Sequence, residues 1–98
     1  MLRLHIIEGP GKGKIYDLKK KTTSVGRSAS CDIHISDRAI SARHLKLTRT
    51  SEGVFLEDVG STNGTYVKGE LVIPGDRVPL GEGDPIAIGN TLICVDRG

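Results

Sequence analysis

Apolar residues recur at every second position in short runs along this chain. Leu2, Leu4 and Ile6 share one face of the first run, and Leu45 and Leu47 show the same period further along. A period of two is that of a β-strand, and glycine, proline, asparagine or aspartate interrupts the runs about every 8 to 12 residues. The pattern therefore predicts an all-β fold, a sandwich or a barrel, whose functional residues lie in loops.

Turn-forming residues leave little room for helices. The 98 residues include 13 glycines and four prolines, and both residue types interrupt helices. Residues 36–44 are the candidate for a short helix, but the spacing of isoleucine and leucine on either side favours strands. We see no linker and no internal repeat. We therefore expect a single domain over residues 1–98, with strands running from Leu2 to near Val95.

The charge balance and the aromatic content argue against a nucleic-acid partner. Fourteen basic and 12 acidic residues give a net charge of +2, which is too balanced to attract a polyanion in bulk. The aromatic residues are only Phe55, Tyr16 and Tyr66, whereas small β folds that bind single strands use exposed aromatics for stacking. The one run of like charge, Lys19-Lys20-Lys21, is predicted to be a solvated turn.

The sequence carries no catalytic or metal-binding signature. The segment GPGKGK lacks the spacing and the hydroxyl residue of a nucleotide phosphate loop, so we predict a hairpin turn there. Ser41 and His44 suggest a nucleophile and a base, but in an extended chain their side chains diverge, and no carboxylate is placed to orient the imidazole. His5, His34 and His44 are isolated and show no ligand spacing. We predict no enzyme activity, no metal and no cofactor.

Compartment is indicated by the cysteines and the apolar runs. Cys31 and Cys94 match no zinc spacing and are expected to be two buried thiols. The amino-terminal sequence is too short and too charged for a signal peptide, and no apolar run approaches the ~20 residues of a membrane span. We expect a soluble intracellular protein without a membrane partner, with the cytoplasm favoured over the nucleus.

Three segments carry groups that bind anions. VGRSAS presents Arg27, ISARH presents Ser41 and Arg43, and GSTNG presents Thr62 and Asn63. Arginine offers a rigid fork of donors suited to phosphate oxygens, and hydroxyls add further donors. Each segment also has an ordinary explanation: a surface charge, a cap or turn, or a primed hairpin turn at the Asn-Gly pair. Composition alone does not say whether the three segments converge.

In combination and order, these segments resemble the forkhead-associated (FHA) domain, a family of phosphothreonine-binding modules. The segments CDIHISDRAIS and LGEGDPIAIG also resemble the family, so the likeness covers essentially the whole chain. The family fold is a sandwich of two twisted, mainly antiparallel sheets of about eleven strands, with adjacent termini and a binding site in the loops at one end. The motifs that carry the resemblance are Gly26-Arg27, Ser41-x-x-His44 and Ser61-Thr62-Asn63-Gly64-Thr65.

The resemblance implies a role for each matching residue. Arg27 and Ser41 would contact the phosphate, and Thr62 would add a hydroxyl or an amide. Asn63 would bond the peptide backbone just after the phosphothreonine. The chain would then bind a phosphothreonine-containing protein or peptide in signalling, with a monomer favoured. The residues implied to support the loops are Gly26, His44 and Gly64.

One position departs from the common family pattern. The residue after the serine of Ser-x-x-His is often asparagine, arginine or lysine, and here it is Ala42. Either a contact with the ligand is missing here, or Arg43 supplies it from the next position. Neighbouring residues of a strand face opposite ways, so Arg43 pointing to solvent is the equal alternative. Arg38 and Ala39 stand where selectivity for the third residue beyond the phosphothreonine would arise. Ala42 favours the alternative that the domain binds a partner through a sheet face, independently of phosphorylation.

Overall fold

Strands, turns and loops, without a helix, make up the part of the chain that the computed structural model describes, residues 1–97. Eleven strands form two sheets, which confirms the predicted all-β sandwich. Residues 36–44 contain turns rather than the helix that was considered there. Gly98, the last residue of the expected domain, lies outside the described residues. The strands are β1 (Arg3–Glu8), β2 (Ile15–Asp17), β3 (Thr22–Gly26), β4 (Ile33–His34), β5 (Leu45–Thr50), β6 (Gly53–Asp58), β7 (Thr65–Val67), β8 (Glu70–Leu71), β9 (Val78–Leu80), β10 (Ile86–Ile88) and β11 (Thr91–Asp96).

The two sheets differ in size and in strand order. One has six strands in the order β2-β1-β11-β10-β7-β8, and the other has five in the order β4-β3-β5-β6-β9. The β3–β4 pair is parallel, and the other strand pairs of the described chain are antiparallel. β1 pairs with β11 so that Arg3 faces Asp96. This pairing places the first and last strands side by side, as the resemblance implies.

Residues 59–64 form a crossover loop and not a hairpin. β6 belongs to the five-stranded sheet and β7 to the six-stranded sheet, so the loop passes from one sheet to the other. A primed type I turn needs a positive φ at both central residues. Gly64 has a φ of 87°, but Lys68 is the only non-glycine residue with a positive φ in the described chain. The interpretation of the Asn-Gly pair as a primed hairpin turn is therefore wrong.

Aliphatic side chains from both sheets form one core. Leu4 and Ile6 are buried and Leu2 is half buried, as the alternation predicts, and Leu45 and Leu47 are buried in the opposite sheet. Burying one such side chain stabilises a protein by about 1.5–3 kcal/mol, so this core is the main support for the loops. Its buried members are Leu4, Ile6, Leu18, Val25, Ile33, Ile35, Ile40, Leu45, Leu47, Val54, Leu56, Val67, Val72, Ile86, Ile88, Ile93 and Val95.

GPGKGK is a turn between β1 and β2, in which the Lys12 N–H donates to the Gly9 carbonyl over 3.0 Å. The lysines at 19–21 are exposed.

Cys31 is buried, but Cys94 is half buried, so the expectation of two buried thiols holds for one of them. Within residues 1–97, no helix has the length and hydropathy to cross a membrane.

Candidate functional site

The three predicted anion-binding segments lie at the same end of the sandwich. β3 and β6 both run antiparallel to β5, and the pairs Val25–Leu45 and Leu45–Asp58 align the end of β3, the start of β5 and the end of β6. The loops that follow or precede these positions must therefore meet. They are the β3–β4 loop (27–32), the β4–β5 loop (35–44) and the β6–β7 loop (59–64).

Gly26 lets the first two loops pack backbone against backbone. The Arg27 N–H donates to the Ser41 carbonyl over 3.0 Å, and the Ser28 N–H donates to the Ala42 carbonyl over 3.1 Å. A Cβ on Gly26 would lie 2.2 Å from the Ala42 carbonyl oxygen. Gly26 is not among the glycines with positive φ, so close approach is the reason that glycine is needed here.

Arg27 is exposed, and one side of its guanidinium is fixed. Its Nε donates to the Ile40 carbonyl over 3.0 Å, which leaves both terminal nitrogens available to a ligand. Arg38 and Arg43 lie on the adjacent loop and are also exposed. Within residues 1–97, none of the three arginines forms an ion pair. This end of the molecule therefore presents guanidinium groups that no carboxylate neutralises by direct contact.

Ser41 joins the second loop to the third. The Thr62 N–H donates to Ser41 Oγ over 2.9 Å. The Ser41 hydroxyl hydrogen remains available for an outside acceptor, because the oxygen accepts this bond through a lone pair. Thr62 is exposed and its amide is already bonded. Of the two donors expected from Thr62, the hydroxyl is the one left for a ligand.

Asn63 also ties the third loop to the second. Its Nδ2 donates to the Ala39 carbonyl over 3.0 Å, which leaves Oδ1 as an acceptor for a peptide N–H. Ala39 is half buried and its N–H donates to Asp37 Oδ1 over 2.9 Å. The backbone N–H and C=O of Ala39 are thus both engaged within the domain, whereas the Arg38 side chain is exposed.

His44 is a buried connection between the loops. Its side chain is 0% exposed, its Nδ1 accepts the Ser41 N–H over 3.1 Å, and its Nε2 lies 2.9 Å from the Gly64 carbonyl. An acceptor at Nδ1 and a donor at Nε2 define a neutral ring with its hydrogen on Nε2. Both nitrogens are therefore used by the backbone, and neither is left to accept a proton from the Ser41 hydroxyl.

The Ser-x-x-His segment is not extended, contrary to the sequence-based assumption. β5 begins at Leu45, and residues 41–44 bend so that the His44 ring meets the Ser41 backbone. The alternation of a strand consequently does not apply to Ala42 and Arg43, both of which are exposed.

Replacing His44 with alanine is expected to lower the free energy of unfolding by about 2 kcal/mol, because a buried ring is removed and the half-buried Ser41 N–H and Gly64 C=O lose their partners. Chemical denaturation measures this loss. His44→Asn should recover part of it, since the asparagine oxygen can replace Nδ1 as the acceptor. His34→Ala is the matched control, because His34 is exposed. Equal stabilities of the His44→Ala and His34→Ala variants would contradict a supporting role.

These loops carry the segments on which the resemblance rests, and a comparison with protein families agrees. The model of the FHA domain matches residues 23–89, which is more than half of the chain and includes all three loops. The chain belongs to the FHA domain family.

The curated relatives of this FHA domain include an inhibitor and a regulator. The oxoglutarate dehydrogenase inhibitor of Corynebacterium jeikeium is 38% identical over 95 residues, which cover 97% of this chain and 64% of that protein. The glycogen accumulation regulator GarA of Mycolicibacterium smegmatis is 41% identical over 87 residues, which cover 88% of this chain and 52% of that protein. The chain therefore spans less than two thirds of the length of these curated relatives.

Solved structures resemble this FHA domain over its whole described length. One, from work on phosphothreonine-dependent FHA domain interactions, has a TM-score of 0.87 at 29% identity and covers 99% of this chain and 96% of that chain. The fold and its family are thus established by sequence and by structure.

Sequence reasoning missed Asp58, which organises the third loop of the FHA domain. Asp58 is 1% exposed. Its Oδ1 accepts the N–H groups of Gly60 and Ser61 over 2.7 and 2.8 Å, and its Oδ2 accepts the hydroxyls of Ser61 and Thr65 over 2.5 and 2.7 Å. Burial alone would raise the pKa of Asp58, but the hydrogen bonds from Ser61, Thr65 and Gly60 outweigh burial and lower it. The hydroxyls of Ser61 in this loop and of Thr65 at the start of β7 are therefore directed at Asp58 and not at a ligand.

Asp37 was also missed, and it holds the second loop against the β10–β11 turn. It is buried, and its Oδ2 accepts the Asn90 N–H and the Thr91 hydroxyl, each over 2.8 Å. Burial would raise the pKa of Asp37, but the bonds from Thr91, Ala39 and Asn90 lower it overall. Asp37 and Asp58 both accept the N–H two residues ahead. Aspartate often accepts this hydrogen bond in turns, so an aspartate at the start of a predicted turn is the sequence signal that could have identified Asp37 and Asp58.

The candidate site is an exposed surface of loops and not a cavity. A concavity of about 650 Å³ is lined by Lys21, Arg49 and Arg97, among others. Lys21 precedes β3 and Gly26 ends it, so this concavity lies at the opposite end of the sandwich. Among residues 1–97, no three His, Cys, Asp or Glu side chains are grouped to hold a metal ion.

Proposed function

We propose that this FHA domain binds phosphothreonine-containing segments of other proteins and acts as a non-catalytic module in intracellular signalling. The observation that carries the proposal is the placement of Arg27. Its Nε is bonded to the Ile40 carbonyl, which leaves its terminal nitrogens free, and its backbone N–H is bonded to the carbonyl of Ser41, whose hydroxyl hydrogen is also free. A rigid fork of donors next to a free hydroxyl suits the oxygens of a phosphate.

The remaining loop residues complete the proposed site. Thr62 offers its hydroxyl to the phosphate, and Asn63 offers Oδ1 to the peptide N–H that follows the phosphothreonine. Arg43 adds positive charge, and Arg38 with Ala39 contributes to selectivity. A phosphothreonine carries about −1.5 to −2 charges at pH 7, so unneutralised arginines favour it over an uncharged threonine. The residues that would keep these groups in place are Gly26, His44 and Gly64.

Similar proteins support this proposal. The structure at 29% identity comes from work on phosphothreonine-dependent FHA domain interactions, and two relatives are named an inhibitor and a regulator. In this chain both nitrogens of His44 are bonded to the backbone, which argues against a Ser41–His44 catalytic pair. We propose one domain over residues 1–98 that acts as a monomer in the cytoplasm, without a cofactor.

The test is a screen of a phosphothreonine-oriented peptide library against the wild-type domain and the Arg27→Ala variant. A charge-assisted hydrogen bond contributes roughly 1.5–3 kcal/mol, and ordering a flexible peptide offsets part of this gain. We therefore expect micromolar dissociation constants, about −7 to −8 kcal/mol. Arg27→Ala should weaken binding about tenfold or more, equivalent to ~1.4 kcal/mol, while the thermal midpoint stays near that of the wild type.

Arg97→Ala is the matched control, because it removes an equal charge from an exposed side chain at the opposite end of the molecule. This variant should bind the selected peptides as the wild type does. Equal affinities of the Arg27→Ala variant and the wild type would reject the phosphate site.

Ala42 favours a second candidate function, which is binding of a partner independently of phosphorylation. The residue at this position is exposed and has no group that reaches a ligand. Competition between phosphorylated and unphosphorylated forms of the same peptide separates the two functions. Equal competition would support the second.

A further inference from the structure

The outward face of the six-stranded sheet carries a row of apolar side chains. The pairings Leu71–Tyr66, Tyr66–Ala87 and Ala87–Leu92 place these four residues in register across β8, β7, β10 and β11. The chain neighbours of Tyr66, Ala87 and Leu92 are buried, and so is Val72 next to Leu71, so the four side chains point away from the core. The buried neighbours of the first three are Thr65, Val67, Ile86, Ile88, Thr91 and Ile93. We call Leu71, Tyr66, Ala87 and Leu92 the outer row.

The outer row is unusual for a sheet with one face in water, which normally presents polar residues. Leu71 is 61% exposed and Tyr66 is 40% exposed. On the outward face of the five-stranded sheet, by contrast, one row is polar, with Ser24, Lys46 and Glu57 in register. Leu71 also lies on β8, an edge strand, where an exposed apolar residue invites contact with another chain.

The outer row begins at the third loop of the candidate site. A Cβ on Gly64 would lie 3.0 Å from Leu71 Cδ1 and 3.6 Å from Tyr66 Cε1. Gly64 also follows Asn63, the residue assigned to the ligand backbone. A ligand held at Asn63 therefore has an apolar surface directly beside it.

We propose that the outer row binds apolar side chains of the phosphorylated partner, in an extended segment that flanks the phosphothreonine. The inference rests on the proposed function and adds a second contact area to it. Three strand spacings of about 4.8 Å separate Leu71 from Leu92, which four or five extended residues span at about 3.3 Å each. The segment consequently reaches beyond the third residue from the phosphothreonine.

The size of the outer row favours this occupant over a second copy of the chain. A specific interface between proteins buries roughly 800 Å² on each partner, and four side chains on one sheet face, two of them half buried, offer much less. A segment already tethered by its phosphate needs only a small additional area, because its second contact is intramolecular.

Two phosphothreonine libraries test the inference, one with three degenerate positions on each side and one with eight. From the longer library, the wild-type domain should select apolar residues beyond the third position on one side. Leu71→Ser should remove this selection and weaken the best long peptide about fivefold to tenfold, consistent with loss of one partly buried leucine contact. Binding of the short peptides should not change.

Ile73→Ser is the matched control, since Ile73 is 65% exposed and lies after β8, outside the outer row. It should bind long peptides as the wild type does. Tyr66→Ser is a second test of the row, and thermal midpoints verify that each variant is folded.

The outcomes separate the two hypotheses. Retention of short peptides without apolar selection from the long library would overturn the outer-row inference and leave the proposed function standing. Equal effects of Leu71→Ser and Ile73→Ser would also overturn it. Failure of both libraries would reject the proposed function and the inference with it. A wild-type dimer in sedimentation that Leu71→Ser dissociates would assign the row to self-association and overturn the inference.

Discussion

Replacing Gly26 with alanine is expected to lower the free energy of unfolding by about 3 kcal/mol, the upper end of the usual cost of over-packing. The new Cβ would lie 2.2 Å from the Ala42 carbonyl oxygen and 3.0 Å from Cys31 Sγ. Because the nearer obstacle is backbone, no change of rotamer relieves it, and the first two loops must separate. For a domain of this size the thermal midpoint should fall by about 12–24 °C, which calorimetry measures.

The same separation should abolish peptide binding by the Gly26→Ala variant. It breaks the hydrogen bonds from Arg27 to Ser41 and from Ser28 to Ala42, which place the proposed phosphate ligands beside each other. Gly81→Ala is the control, since Gly81 also lacks a positive φ and its Cβ would meet first a side-chain oxygen of Asp84 at 3.0 Å. A wild-type midpoint for Gly26→Ala would show that close approach at this position is unimportant.

The sequence was sufficient to predict the fold class, because alternation is a direct consequence of having one face of each strand in the core. Leu4, Ile6, Leu45 and Leu47 all follow it. Alternation does not tell which sheet a strand joins. The pattern therefore left a hairpin open as one explanation of the loop at 59–64, although the strands on its two sides belong to different sheets.

The convergence of the loops could not be predicted from the residues alone. It depends on the register that aligns Val25, Leu45 and Asp58 across three strands, and register is a tertiary property. The family resemblance supplied the grouping of Arg27, Ser41, Thr62 and Asn63, and the structure places these residues on loops that are hydrogen-bonded to one another. Their role in binding stays a prediction.

Sequence reasoning also could not tell which hydroxyls in and after the third loop are used within the domain and which remain for a ligand. Ser61, Thr62 and Thr65 are chemically alike, and only position separates them. Ser61 and Thr65 donate to Asp58, whereas the Thr62 hydroxyl has no partner within residues 1–97. Asp58 therefore determines which hydroxyls remain for a ligand.

Replacing Asp58 with alanine is expected to lower the free energy of unfolding by about 3–5 kcal/mol, because four donors lose a buried charged acceptor. The Asp58 carboxylate would no longer accept the N–H groups of Gly60 and Ser61 or the hydroxyls of Ser61 and Thr65. Urea denaturation measures the loss. Asp76→Ala is the control, since Asp76 is exposed, and an equal loss in both variants would contradict the role of Asp58.

Asp58 should also contribute to the acid sensitivity of the domain. Folding lowers the pKa of this carboxyl below its ordinary value of 3.8. Its stabilisation is therefore complete above the ordinary value and is lost as the pH falls through the lowered, folded value. Asp58→Asn cannot titrate, so its free energy of unfolding should fall less steeply below about pH 4 than that of the wild type. The slope should persist in part, because hydrogen bonds also lower the pKa of Asp37 and Asp32. Identical slopes in the wild type and in Asp58→Asn would place the acid sensitivity in other carboxyl groups.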